Sequence, residues 1–225
     1  MTRTPTFSSL IPHEKAWHAI PLARDDRPSG EPPTDTFLTA GATPSPAVSR
    51  CVALLRAVNV GGAAPVSMAA VREILTGVGL HDVRSLLQSG NLVFGSASRT
   101  PRDLERLLED ALASSLDLRT EFFVRTANEW DQVVSRNPYP KEAQEDPARL
   151  NIAFLKEAPS APAWETLRSA IRGRERFVGD GRQAYVFYPD GMGRSKLTTP
   201  LLERSLGTRS TSRNWNTILK LQSAL

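Results

Sequence analysis

The sequence predicts an α+β fold made of two similar halves packed together, with a C-terminal helix. Three observations carry this reading. From Cys51 onward, short apolar runs bounded by turn residues alternate with stretches of helical period. Thr100-Pro101 and Thr199-Pro200 each place proline at a helix start, at corresponding points of two successive series of elements. The first series reads βαββαβ, which is the ferredoxin-like order, and the second partly repeats it as a βαββα-type unit.

The elements follow in turn. Cys51-Val52-Ala53-Leu54-Leu55, bounded by Gly61-Gly62, reads as a central buried strand. Ser67 caps a helix that carries Val71, Ile74, Leu75 and Val78 on one face. Val83 to Gln88 and Leu92 to Phe94 form two strands around the turn Ser89-Gly90-Asn91. The helix begun at Thr100-Pro101 keeps its period through Leu104, Leu107, Leu108, Ala111, Leu112 and Leu116. Glu121 to Arg125 closes the first half as a strand. Ala127 to Pro147 reads as a helix and then a connector broken by the prolines of Asn137-Pro138-Tyr139-Pro140. In the second half, Leu150 to Leu155 is a strand, and Trp164, Leu167 and Ile171 mark a helix. Strands at Arg176 to Val178 and Ala184 to Tyr188 surround Gly179-Asp180-Gly181. Leu201, Leu202 and Leu206 follow Thr199-Pro200 on a helix. A last helix runs from about Asn214 to the terminus. The predicted divisions are an extension over 1–49, a first half over 51–136, a connector over 137–148 and a second half over 149–225.

Residues 1–49 hold eight of the seventeen prolines and two of the three histidines, His13 and His18, and keep no helical or strand period. Such a segment buries too little surface to offset its chain entropy and is predicted to be disordered, or else to reflect a mis-assigned start. Elsewhere, 40% hydrophobic and 23% charged residues suffice for an ordinary soluble core. No apolar run reaches the ~18 residues of a membrane span, and no signal peptide is evident. The lone cysteine, Cys51, cannot form an internal disulfide and suits a reducing compartment, so a cytoplasmic location is expected. His81 alone among the histidines lies in the ordered region, and no acidic cluster has metal-ligand spacing. No metal site, cofactor or catalytic residue is therefore identified. Glu109-Asp110 reads as a solvated face.

The net charge is +4, and the segment from Gly191 to Leu225 holds six Lys/Arg against one acidic residue. That segment contains Lys196, Arg213, Asn214 and Asn216. A helix start needs one capping side chain, not three polar residues within four positions, as Arg213, Asn214 and Asn216 are. In a βαββαβ sheet the end of the first strand lies near the start of the third. Asn59, Gly61 and Gly62 would therefore share one sheet edge with Gln88, Ser89 and Asn91, beside the helix start at Ser67. Arg56 ends an apolar strand and requires a carboxylate, carbonyls or a ligand as partner. Such a collection suits an anion or polar small molecule. Arg213 to Asn216 are expected to close over this edge from the second half. Trp215 shares a helical face with Ile218 and Leu219 and reads as a core anchor.

The runs Ala53-Leu54-Leu55-Arg56-Ala57-Val58-Asn59-Val60-Gly61-Gly62 and Gln88-Ser89-Gly90-Asn91-Leu92-Val93-Phe94 resemble motifs of the domain of unknown function 1697 family. So do Arg125-Thr126, Asn137-Pro138, Ser195-Lys196-Leu197-Thr198 and Arg213-Asn214-Trp215-Asn216-Thr217. The likeness spans Cys51 to about Leu221. It departs at Ala57, where the family pattern has glycine, and at Ala64-Pro65, where it commonly carries lysine. The resemblance implies a two-part α+β fold of mostly bacterial, cytoplasmic proteins and implies no activity.

Three functional readings follow. The first is a binding module for an anionic ligand (a nucleotide, phosphorylated metabolite or nucleic acid) at a polar cleft between the halves. The sheet offers only Phe94 for base stacking, which makes nucleic acid the weaker case. The second is a metal-free, thiol-free enzyme in which Arg56, Lys196 and Arg213 stabilise developing negative charge. The third is a structural or interaction protein whose polar motifs hold the halves together.

Overall fold

A computed structural model of the protein describes residues 48–56, 67–87, 90–97 and 99–225. The first half comprises β1 (Val48–Leu55), α1 (Met68–Gly77), β2 (His81–Leu86), β3 (Asn91–Ala97), α2 (Pro101–Leu116) and β4 (Phe122–Thr126). Two helices, α3 (Ala127–Ser135) and α4 (Pro140–Glu145), lead to the second half. That half holds β5 (Leu150–Leu155), α5 (Ala161–Ala170), β6 (Arg176–Asp180), β7 (Gln183–Phe187), α6 (Thr199–Leu206), β8 (Ser210–Asn214) and α7 (Trp215–Gln222). β1 opens at Val48, ahead of the apolar run, because Val48 and Ser49 pair with Ala97 and Ser96.

Side-chain caps fix five of the seven described helix starts. The oxygens of Ser67, Thr100, Thr126, Thr198 and Asn214 each accept a backbone N–H three residues on. Thr126 and Glu129 complete a reciprocal capping box. α2 ends on Asp117 and α6 on Gly207, both left-handed, with φ of 49° and 66°.

The strands form two antiparallel four-stranded sheets, ordered β2-β3-β1-β4 and β6-β7-β5-β8. The eighth strand is a correction to the sequence reading, which gave the second half only three. Ser-Thr-Ser-Arg-Asn has no apolar alternation, yet Ser210 to Asn214 pair in full with Leu155 to Asn151. The register makes the halves equivalent. Val52 stands opposite Arg125 as Ile152 stands opposite Arg213, and Leu54 opposite Asn91 as Phe154 opposite Gln183.

Each sheet is covered on both faces. α1 and α2 pack on the outer face of the first through Val71, Leu75, Leu104, Leu108 and Leu112, against Cys51, Ala53, Phe94 and Val124. Leu167, Leu202 and Leu206 of α5 and α6 cover the second, against Ala153, Leu155 and Val186. The inner faces share one core: Val52, Leu54, Val93 and Phe123 on one side and Ile152, Phe154 and Tyr185 on the other. Trp130 and Val133 of α3 and Trp215, Ile218 and Leu221 of α7 complete it. Trp130 stacks on Phe154 across the halves at 5.1 Å and 9°, worth roughly 0.5–1.5 kcal/mol beyond area burial. Phe94 is fully buried beneath the outer helices, so the stacking aromatic considered for nucleic acid does not face solvent.

Candidate functional site

Of the predicted residues, Arg56, Asn91 and Arg213 lie at the junction of the halves, and the junction is built by arginines on the fourth strands. Arg213 leaves β8 and crosses to the first half. Its Nε donates to Asn91 Oδ1 at 2.5 Å, and its Nη2 to the carbonyls of Leu55 at 2.9 Å and Gly90 at 3.5 Å. Nη1 donates to Thr211 Oγ1 and Ser212 O on its own strand. Asn91, fully buried, donates through Nδ2 to Leu86 O. Burial pushes the Arg213 pKa down to about 10.

Arg125 makes the reciprocal crossing from β4. Its Nη2 donates to Leu155 O at 3.1 Å and Arg182 O at 2.7 Å, and its Nη1 to Val124 O at 2.8 Å. The guanidinium lies 5.5 Å from the centre of the Phe154 ring. Burial, then the charge of Arg182, lower its pKa to about 10. Leu55 and Leu155 end their first strands, and each donates its N–H to the same turn carbonyl that the arginine takes, Gly90 or Arg182. The sequence reading singled out Arg56 as a cation in an apolar strand but not Arg125. The same logic, applied to Phe122-Phe123-Val124-Arg125, points to it.

The cations after the first strands cross as well. Arg56 Nη2 bonds Glu203 of α6 at 3.1 Å, its Nη1 lies 3.4 Å from Glu121, and its Nε donates to Ser210 O. Arg209 joins the same two carboxylates, closing an alternating ring of four charges. On the opposite side, Lys156 reaches Glu105 at 3.1 Å and Glu109 at 2.6 Å on α2. Those carboxylates also accept the N–H groups of Val124 and Phe122, as Glu203 accepts that of Ser210. Glu109 is therefore a junction residue rather than part of a solvated face. Arg56 meets the carboxylate requirement read from the sequence.

The remaining candidates divide. Asn214 caps α7 by accepting the Thr217 N–H at 3.0 Å. Asn216 and Lys196 are exposed. Trp215 is buried in the inner core. Asn59, Gly61, Gly62, Gln88 and Ser89 lie outside the described residues. Cys51 is buried, and burial, then Glu129, push its thiol up to about 11. No group of three His, Cys, Asp or Glu among the described residues could hold a metal ion. None of the described helices is long and apolar enough to cross a membrane.

A polar cleft of about 190 Å³ opens between the halves at the equivalent position to Asn91 and Arg213. Its first wall is one face of α3, with Glu129 and Gln132, continued by Arg136 and floored by Arg125. Its second wall is the β6–β7 turn, Asp180-Gly181-Arg182-Gln183. Gly181 sits first in this two-residue loop with φ of 57°, a conformation that suits glycine. Arg182 bonds Glu129 Oε1 at 3.0 Å, Gln183 bonds Asp180 at 3.1 Å, and Arg136 stands 3.8 Å from Asp180. Three guanidiniums thus face two carboxylates. Neither Arg136 nor Arg182 stood among the sequence candidates, because the cleft exists only once α3 lies against the second half.

The family model described as "Protein of unknown function (DUF1697)" matches residues 48–185. The chain belongs to this family. No curated protein matches it. Among solved structures, the DUF1697 chain is similar to one described as conserved bacterial protein SP0830 from Streptococcus pneumoniae, with a TM-score of 0.61 and 24% identity over 79% of this chain and 98% of that one. This likeness concerns the fold alone.

Proposed function

We propose that the protein is a binding module for a small ligand that carries an anionic group, seated in the cleft between α3 and the β6–β7 turn. The observation that carries this reading is a concave, polar space contributed by both halves in which the guanidiniums of Arg136 and Arg182 stay partly exposed. The motif arginines support it indirectly. Arg56, Arg125 and Arg213 are engaged in fastening the halves, which leaves Arg136 and Arg182 as the cations with access to a ligand. They are 59% and 25% exposed. A volume of 190 Å³ equals about six water volumes, enough for a phosphate or carboxylate head and little more. A nucleotide would lie mostly outside it.

The test is a thermal-shift and calorimetric titration of the full chain with inorganic phosphate, acetate, phosphoserine and a nucleoside monophosphate. Binding of at least one anion, lost in the doubly substituted Arg136→Ala/Arg182→Ala chain, is expected. Binding that survives both substitutions places the ligand elsewhere and refutes the seat.

A second reading, that the motifs serve to hold the halves together, is favoured by the reciprocal crossing of Arg125 and Arg213. It makes both arginines determinants of stability. The two readings are compatible, since a cleft between halves keeps its shape only while the halves stay fastened.

A further inference from the structure

Resting on that reading, we infer that the ligand of the cleft is a small zwitterion, with a carboxylate and an ammonium group a few bonds apart, as in a short amino acid. The inference starts from the uneven way the charges in the cleft are paired. Glu129 is committed twice: one oxygen accepts the Thr126 N–H at 2.8 Å in the capping box, and the other accepts Arg182 at 3.0 Å. Arg136 and Asp180 are different. They come from opposite walls, stand 3.8 Å apart, beyond hydrogen-bond length, and are 59% and 35% exposed. They form a loosely closed pair of opposite charges at the mouth of a concave site.

A simple anion drawn to Arg136 would also meet Asp180, and like charges at such range repel. A simple cation drawn to Asp180 would meet Arg136 and Arg182, which line the same cleft. A zwitterion satisfies both walls, with its carboxylate on the Arg136 guanidinium and its ammonium on Asp180. Gln183 Nε2 donates at 3.1 Å to Asp180 Oδ2, the same oxygen that lies 3.8 Å from Arg136, and holds the carboxylate in place. The size agrees, because six water volumes hold roughly six to eight non-hydrogen atoms. Alanine, serine and β-alanine fall within that range.

The test titrates the full-length protein with serine, β-alanine, acetate, methylammonium and inorganic phosphate, following backbone amide shifts of Gln132, Gly181 and Gln183 by NMR. Asp180→Asn and Arg136→Gln are made beside the wild type. Both positions are partly exposed, and melting curves check that the variants fold. Serine or β-alanine is expected to bind at least ten-fold tighter than acetate or methylammonium. Asp180→Asn should bring the zwitterion down to the level of acetate, while Arg136→Gln removes both. Phosphate or acetate binding as tightly as serine, unaffected by Asp180→Asn, overturns the zwitterion and leaves the anion seat standing. No shift at these amides with any of the five compounds overturns both.

Discussion

Replacing Arg125 by alanine is the sharpest probe of how the halves are joined. The side chain is 1% exposed and donates three hydrogen bonds, two of them to the second half. Bonds from a charged donor are worth about 1.5–3 kcal/mol each, so the three together supply roughly 6 kcal/mol. Against this stands the cost of keeping the cation buried. A fall in pKa from 12.5 to about 10 corresponds to about 3 kcal/mol. The ring contact with Phe154 returns about 1 kcal/mol. The net loss expected for Arg125→Ala is therefore about 4 kcal/mol. For an ordered region of this size that lowers Tm by roughly 8–16 °C. Arg125→Met keeps the stem and sheds the burial cost, and should lose about half as much. Urea denaturation followed by tryptophan fluorescence is the assay, since Trp130 stacks on Phe154 beside the guanidinium. A loss below about 1 kcal/mol for the alanine variant, or a methionine variant worse than alanine, would show that the carbonyl bonds do not fasten the halves.

Two further outcomes are expected. Asn91→Ala takes the acceptor from Arg213 Nε and the donor from Leu86 O; denaturation should report a loss of roughly 2 kcal/mol, and a neutral result would remove Asn91 from the junction. The Cys51 thiol, raised from 9.0 to about 11, keeps its proton in the folded state after the unfolded chain has lost it. Its contribution is therefore fully present below pH 9 and is lost as pH rises to about 11, by about 3 kcal/mol. Cys51→Ala should flatten that part of the stability curve between pH 9 and 11, and an unchanged slope contradicts the assignment.

Much of the fold was legible because its strands are apolar and its helices open on readable caps. The strand predicted over Leu150 to Leu155 has those bounds in the structure, and Ser67 and Thr100 cap the helices expected of them. β8 was not legible. Its five residues are polar, and it is a strand only because β5 offers an open edge to pair with. The topology places Asn91 at one end of the sheet; that Arg213 closes over that end follows from the expectation of one shared cleft between the halves, not from topology. That Arg213 belongs to a strand, and that Arg125 mirrors it, depends on a pairing between halves that no local pattern records. The cleft was hidden for the same reason. Glu129, Gln132 and Arg136 look like the wet face of a helix until the β6–β7 turn comes to lie opposite them.

The exchange of arginines between the halves bears on how this chain tolerates being cut. Each fourth strand hands its cation to the other half's first strand, and each inner sheet face is apolar. A fragment ending after β4 would present Val52, Leu54, Val93 and Phe123 to water together with an arginine deprived of two of its three acceptors. Such a piece invites self-association, with a second fragment standing in for the missing half. The intact chain carries its own partner at fixed stoichiometry. Insertions should accordingly be borne in the outer connections, such as Gly191–Ser195, and not in the turns that bring Gly90 or Arg182 to the junction.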